Sequence, residues 1–194
     1  MIAVTLQNNK KEFFKNFEQV FITLQNKLDQ ITDIDCRKQK IREIPHQISL
    51  LSNLQTFDCS NNLIENVSFE TEKMSNLREF YCKDNLIKKI PVQIKNLISL
   101  RIFNCSFNQI SQFPVEIENL INLQEIYCSS NKIKEIPVQI KQLKNLRHLS
   151  CSNNELKEIP AWIKDLKNLR EFYCSGNSIT FLPYEIAELT NLQE

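Results

Sequence analysis

The sequence predicts a right-handed, curved α/β solenoid, with a parallel β-sheet on its concave face and short helical or 3-10 segments on its convex face. Three observations support this fold class. The seven cysteines lie 23 residues apart, from Cys36 to Cys174. Each of the six prolines follows a cysteine by nine residues, and an asparagine follows every cysteine except the first by three. A fixed period of this length is typical of solenoids, in which stacked repeats bury what one repeat cannot.

The strand of each repeat is predicted from alternating polarity. One repeat reads L-x-x-[FIL]-x-C-x-x-N-x-[IL]-x-x-[IFLV]-P-x-x-I-x-x-L-x-N; seven copies occupy residues 31–191 and an eighth begins at residues 192–194. Phe80 and Cys82 alternate with the polar-tipped Glu79, Tyr81 and Lys83. This is the period of a half-buried strand, so the cysteines are predicted to face inward.

In each repeat, the asparagine predicts the turn after the strand and the proline predicts the start of the convex segment. The asparagines should stack inside the turn after each strand, because an amide can satisfy backbone groups that leave the ladder. Proline fixes φ at the entry to the convex segment, where an isoleucine and a leucine form the inward stripe of a short helical or 3-10 stretch. Two repeats depart from this pattern. Gln39 replaces the first asparagine, and residues 65–76 lose the proline, so a bulged or loosened convex side is expected there.

Residues 1–30 lie outside the repeats and are predicted to form an N-terminal amphipathic capping helix over the open edge of the first repeat. Apolar residues recur there at spacings of three and four, at Phe14, Phe17, Phe21, Leu24 and Leu28. Membrane association is the alternative for this segment. It is disfavoured because the polar side mixes acidic residues with lysine.

The carboxyl end shows no comparable cap. Leu189 and Leu192 are followed by only two residues, so an uncapped edge is expected. Three arrangements are compatible with such an edge: a natural protein that continues beyond it, a monomer with a frayed last turn, and a homodimer in which two carboxyl edges pair. These three alternatives stay open at the level of the sequence.

The repeat resembles the leucine-rich repeat, whose hallmark is L-x-x-L-x-L-x-x-N-x-L. Cysteine takes the third leucine position in all seven copies. The 23-residue length and the I-P-x-x-I-x-x-L-x-N half resemble the class found in intracellular scaffolds and in small bacterial leucine-rich-repeat proteins. The resemblance implies a non-catalytic module that binds a protein partner.

The cysteines are predicted to be structural. Parallel strands lie ~4.8 Å apart, so the seven sulfur atoms should form a row in the core. A straight row does not offer the four converging ligands that zinc requires. Parallel side chains and an odd count also disfavour disulfides. Buried reduced thiols are therefore predicted, with no metal and no cofactor.

Composition excludes several functions. The 24 Lys and Arg residues are interleaved with 23 Asp and Glu residues, which argues against a nucleic-acid surface. No apolar run is long enough to span a membrane. A single glycine, Gly176, leaves no glycine-rich phosphate loop, and no nucleophile or metal-ligand motif is present, so the chain is predicted not to be an enzyme. The cytoplasm is the default location, with secretion or the cell surface as the alternative if a leader was removed.

The candidate binding site is the concave face, which consists of the outward-facing residues around the strands. Tyrosines alternate there with small polar residues, and the pattern repeats every 46 residues. Duplication of a two-repeat unit explains this alternation, and so does selection for a ligand, since Tyr and Arg are enriched at binding hot spots. A protein partner is the predicted ligand, with a small molecule or glycan between tyrosines as the alternative. The candidate residues are Arg78, Glu79, Tyr81, Arg101, Ile102, Asn104, Phe107, Glu125, Tyr127, Arg147, His148, Arg170, Glu171 and Tyr173.

Overall fold

A computed structural model of the protein describes residues 1–67 and 74–194. The strands of this described part are β1 (Ile2–Leu6), β2 (Lys11–Phe14), β3 (Ile31–Asp35), β4 (Thr56–Asp58), β5 (Glu79–Tyr81), β6 (Ile102–Asn104), β7 (Glu125–Tyr127), β8 (His148–Ser150) and β9 (Glu171–Tyr173). These nine strands form one open sheet in the order β2-β1-β3-β4-β5-β6-β7-β8-β9.

Strands β3 to β9 are parallel and pair in a constant register. Each residue lies opposite the residue 23 positions later, as Phe57 opposite Phe80 and Phe80 opposite Phe103. The middle residue of each three-residue strand is buried and its neighbours are half-buried, because successive side chains point to opposite faces. The three phenylalanine rings stack with centroids 5.9 and 5.6 Å apart. The predicted parallel sheet is confirmed.

The convex side consists of short 3-10 segments. In the described repeats a proline directly precedes each segment, as Pro91 precedes Val92–Asn96, and the isoleucine N–H three residues later donates to the proline carbonyl. These segments are His46–Leu50, Val92–Asn96, Val115–Asn119, Val138–Gln142, Ala161–Asp165 and Tyr184–Glu188. The prediction of short helical or 3-10 segments is confirmed. The irregularity expected within residues 65–76 falls largely on residues 68–73, which lie outside the described part.

The cysteines form a buried row, as predicted. All seven are free, and those from Cys36 to Cys151 are buried, whereas Cys174 is half-buried. The Sγ of Cys59 donates to the Tyr81 carbonyl at 3.4 Å, and Cys128 makes the equivalent contact with the Ser150 carbonyl. Burial raises the pKa of these thiols. They therefore stay protonated and act as small core residues.

Asparagine side chains hold the turns after the strands. Asn85 Oδ1 accepts the Ile64 N–H at 2.9 Å, and Nδ2 donates to the Cys59 and Cys82 carbonyls at 3.1 Å each. The predicted asparagine stack is confirmed, with the same bonds at Asn62, Asn108, Asn131, Asn154 and Asn177.

A second, exposed asparagine ladder ties the convex segments together. Asn122 Nδ2, for example, donates to the Ile98 carbonyl at 2.8 Å. Other bonds of this ladder come from Asn53, Asn76, Asn145, Asn168 and Asn191. The sequence pattern contains this asparagine as its last letter, but no hydrogen-bonding role was predicted for it.

The amino-terminal cap differs from the prediction. A β-hairpin of β1 and β2 replaces the first half of the expected helix, and the second half consists of the α-helix α1 (Phe17–Thr23) and a 3-10 turn (Leu28–Gln30). Alternating burial in Ile2–Leu6 is the period of a strand, and β1 pairs antiparallel with β3. Asn16 starts α1 late, since its Oδ1 accepts the Gln19 N–H at 2.9 Å. The hairpin thus covers the free edge of the first repeat.

Candidate functional site

The parallel register places the candidate residues in rows across β5 to β9. Glu79, Ile102, Glu125, His148 and Glu171 are successive neighbours in one row. A second row places Tyr81, Tyr127 and Tyr173 on alternate strands, with Asn104 and Ser150 between them. Strand spacing sets consecutive tyrosines roughly 10 Å apart.

Each tyrosine is bonded to the glutamate two residues earlier. The hydroxyl groups of Tyr81 and Tyr127 donate to Glu79 and Glu125 at 3.0 and 2.8 Å. Burial and the Glu125 hydrogen bond raise the pKa of Tyr127 to about 12. The tyrosines therefore stay neutral donors at physiological pH, and the glutamates hold their rings in one orientation.

Tyr173 has two carboxylate partners. Its hydroxyl oxygen lies 2.9 Å from Glu194 Oε2 and 3.3 Å from Glu171 Oε2, so its single proton has two carboxylate acceptors. The hydrogen bond to Glu194, together with burial, raises the pKa of Tyr173 to about 12. The Glu194 contact was not predicted, because a residue 21 positions away in sequence meets Tyr173 only once the repeats stack.

His148 is packed between two tyrosine rings. Its ring centroid lies 4.4 Å from that of Tyr127 and 5.4 Å from that of Tyr173. Its Nδ1 lies 2.9 Å from Glu171 Oε2, whereas its Nε2 is buried and has no hydrogen-bond partner in the described structure. His148 thus fills the space over Ser150, and the two intervals between tyrosines are not equivalent.

Phe107 lies at the rim of the concave face, two residues after the cysteine that follows strand β6. It is 51% exposed, its φ is 57°, and Lys83 Nζ lies 5.1 Å from the ring centroid. The equivalent residue of every repeat has positive φ: Lys38, Asn61, Asp84, Ser130, Asn153 and Gly176. Bulky residues rarely adopt this conformation, which favours Gly and Asn. Its exposure agrees with the prediction, and its unusual backbone was not predicted.

Four arginines line one edge of the concave face. Arg78, Arg101, Arg147 and Arg170 are exposed, and Gln124 occupies the place between the two pairs. The Arg101 N–H donates to the Arg78 carbonyl at 2.7 Å, so the row is part of the sheet ladder. Across residues 1–67 and 74–194, no ion pair involves these four guanidinium groups.

Arg37, by contrast, is paired. It lies outside the arginine row, near the amino-terminal end of the sheet, and contacts Asp35 Oδ2 at 2.6 Å and Asp58 Oδ2 at 3.3 Å. The bond to Arg37 keeps the pKa of Asp35 below its usual value. This small ion network was not predicted, although Asp35 and Asp58 stand in the tyrosine row of their own repeats.

The structure therefore brings together all of the predicted site residues along β5 to β9, with Phe107 at the rim. In the described portion, no three His, Cys, Asp or Glu side chains form a group suited to a metal ion. The described portion also contains no helix of sufficient length and apolarity to span a membrane.

Comparisons with known proteins agree with this architecture. A family model for the leucine-rich repeat region matches residues 82–194. Among curated proteins, none matches the chain by sequence. A leucine-rich-repeat protein of Leptospira interrogans is similar in structure, with a TM-score of 0.83 and 35% identity over 86% of this chain and 42% of that chain.

Two further solved structures are similar. The functional domain of InlJ from Listeria monocytogenes, which includes a cysteine ladder, has a TM-score of 0.72 and 26% identity over 84% of this chain and 34% of that chain. The plant peptide hormone receptor RGFR1, in complex with RGF2, has a TM-score of 0.68 and 27% identity over 77% of this chain and 25% of that chain.

The chain spans less than half the length of each of these three structures. The leucine-rich-repeat fold is commonly used for protein–protein interaction, and the family is generally non-catalytic. The family model covers more than half of the chain, and the parallel strands, 3-10 segments and asparagine turns follow the same repeat. The chain therefore belongs to the leucine-rich-repeat family.

Proposed function

We propose that the protein is a non-catalytic interaction module that binds a protein partner through its concave face. The observation that carries this proposal is the row of tyrosines held by glutamates. Tyr81 and Tyr127 are half-buried, and their hydroxyl groups are bonded within their own strands. Aromatic side chains fixed before binding lose little conformational entropy when a partner docks.

Phe107 supports the same proposal. An exposed phenylalanine with φ of 57° combines an unfavourable backbone conformation with an unfavourable solvent exposure. The repeats before and after place Asp84 and Ser130 at this position. A contact with a partner gives a physical reason for a large aromatic side chain there.

The alternative ligand is a small molecule or glycan between tyrosines, and one of the two intervals is already filled by a side chain. His148 occupies the interval between Tyr127 and Tyr173. In the interval between Tyr81 and Tyr127, Ile102 and Asn104 hold the positions that His148 and Ser150 hold in the other interval. A homodimer through the carboxyl edge and a cytoplasmic location both stay predictions.

The test compares two triple variants. Tyr81, Tyr127 and Tyr173→Ala changes the concave face, and Val92, Val115 and Val138→Ala changes three exposed convex residues on consecutive repeats. Partner capture from a lysate of the source organism, followed by affinity measurement with the purified partner, should show loss only for the tyrosine variant. The expected loss is a few kcal/mol in total if the tyrosines are hot spots.

The contact itself is then mapped by a photoreactive amino acid. Placed at Asn104, on the concave face, it should crosslink to the captured partner, whereas placement at Val115, on the convex side, should not. Circular dichroism and thermal unfolding establish that each variant is folded. Equal binding by the tyrosine variant, or crosslinking from Val115 alone, would reject the proposal.

A further inference from the structure

The acidic and basic side chains of the concave face differ in whether they have hydrogen-bond or ion-pair partners within the face. Its acidic row is bonded internally, since Glu79 and Glu125 each accept a tyrosine hydroxyl. Glu171 lies within hydrogen-bond distance of both His148 and Tyr173. The carboxylates thus have partners within the face itself.

The arginine row differs from the acidic row beside it. Arg78, Arg101, Arg147 and Arg170 are exposed and form no ion pair in the part of the chain that the structure describes. Towards the amino terminus, Arg37 is already bonded to Asp35 and Asp58. The glutamates keep their negative charge, because a tyrosine hydroxyl is a neutral donor, but they are hydrogen-bonded within the face. The arginine row is therefore the part of the face whose charges are available to a partner, although the net formal charge of the whole chain is only +1.

The arrangement of the row is regular. Arg78 and Arg101 lie on adjacent repeats, as do Arg147 and Arg170, and Gln124 separates the two pairs. Backbone hydrogen bonds fix the order, with the Arg170 N–H donating to the Arg147 carbonyl at 2.8 Å. The Cα positions of Arg101 and Arg147, two strands apart, are separated by roughly 10 Å.

This inference rests on the proposed function. We propose that the partner presents an acidic segment to the concave face, with carboxylates that pair with the two arginine pairs on either side of Gln124. Planar guanidinium groups match carboxylates in two-point hydrogen bonds. The segment runs across the strands, along the arginine row, and the adjacent tyrosines contact its less polar side chains.

The test uses designed peptides as probes. A fluorescein-labelled peptide with glutamate at every third position in a proline-rich background places carboxylates ~9 Å apart, because polyproline II rises ~3.1 Å per residue. Matched peptides carry glutamine or phosphoserine at the same positions. Fluorescence anisotropy measures binding at ionic strengths of about 0.01 M and about 0.1 M, where charge screening differs strongly.

Two protein variants carry the same change in charge. Arg101, Arg147 and Arg170→Glu reverses three members of the row, and Lys132, Lys134 and Lys157→Glu reverses three exposed lysines outside the strands. The glutamate peptide should bind the wild type and weaken on adding salt, and the glutamine peptide should not bind. The arginine variant should lose about tenfold or more in affinity, and the lysine variant about twofold or less.

Several results would overturn the inference. One is an equal loss of affinity for the glutamate peptide in the two charge variants. Another is the absence of binding by the glutamate peptide at the lower ionic strength. A third is stronger binding by the phosphoserine peptide than by the glutamate peptide. Binding of the captured partner by the tyrosine and arginine variants distinguishes failure of this inference from failure of the proposed function. If that partner is lost by the tyrosine variant but kept by the arginine variant, the acidic segment is rejected and the proposed function stands. If both variants keep it, the proposed function fails as well.

Discussion

His148 Nδ1 lies 2.9 Å from Glu171 Oε2, across the boundary between β8 and β9, while Nε2 of the same ring is buried without a partner in the described structure. Two strands earlier, Ile102 occupies the same row between Glu79 and Glu125. The same row of the sheet therefore holds an apolar side chain at Ile102 and a polar one at His148. Of the two ring nitrogens of His148, one has a hydrogen-bond partner in the described structure and the other has none.

Replacement of His148 by Ile is expected to raise the free energy of unfolding by about 1 kcal/mol. The loss of the Glu171 contact is offset because an unsatisfied buried nitrogen, costing about 1–3 kcal/mol, is removed. Urea denaturation followed by circular dichroism measures the change. The reciprocal Ile102→His variant should be destabilised. A less stable His148→Ile protein would show that the Glu171 bond outweighs the buried nitrogen.

Thiol labelling should separate one cysteine from the other six. Cys174 is half-buried, whereas Cys36, Cys59, Cys82, Cys105, Cys128 and Cys151 are buried. Because the thiolate is the reactive form and burial raises these pKa values, native protein should react first and mainly at Cys174. Mass spectrometry after alkylation identifies the labelled residues, and all seven should react in denaturant. Rapid native labelling of Cys82 or Cys105 would contradict the buried row.

The two asparagine ladders should contribute differently to the free energy of unfolding. Asn85→Ala removes bonds to a buried N–H and to buried carbonyls, so a loss of about 2–4 kcal/mol in the free energy of unfolding is expected. Asn122→Ala removes a single bond at an exposed site and should cost about 1 kcal/mol or less. Chemical denaturation of both variants makes the comparison. Equal losses in the two variants would mean that the backbone groups bonded to Asn85 find other hydrogen-bond partners.

Phe107→Asn is expected to stabilise the fold and weaken binding. Asn tolerates positive φ better than a bulky residue does, and Asn61 and Asn153 already occupy the equivalent position. We expect a gain of about 1 kcal/mol in the free energy of unfolding, together with reduced affinity for the captured partner. Thermal unfolding and a binding titration provide the two measurements. Unchanged affinity would remove Phe107 from the binding surface.

Much of the solenoid could be read from the sequence because its causes are local and periodic. The alternation around Cys82 indicates a strand, the proline before Val92 indicates the start of a convex segment, and the asparagine at position 85 indicates the turn between them. Each repeat meets the same neighbours, so one unit predicts the register of the next. The buried cysteine row follows from that register.

The tertiary structure decided what repetition does not specify. At the amino end the pattern has no preceding repeat, and β1 becomes a strand because the exposed edge of β3 offers it hydrogen bonds. On the concave face, the stacking of His148 and the absence of an ion pair at Arg147 among the described residues depend on which side chains from neighbouring strands reach each other. Those contacts depend on side-chain rotamers and on distances between residues far apart in sequence, which a pattern of residue types leaves undetermined.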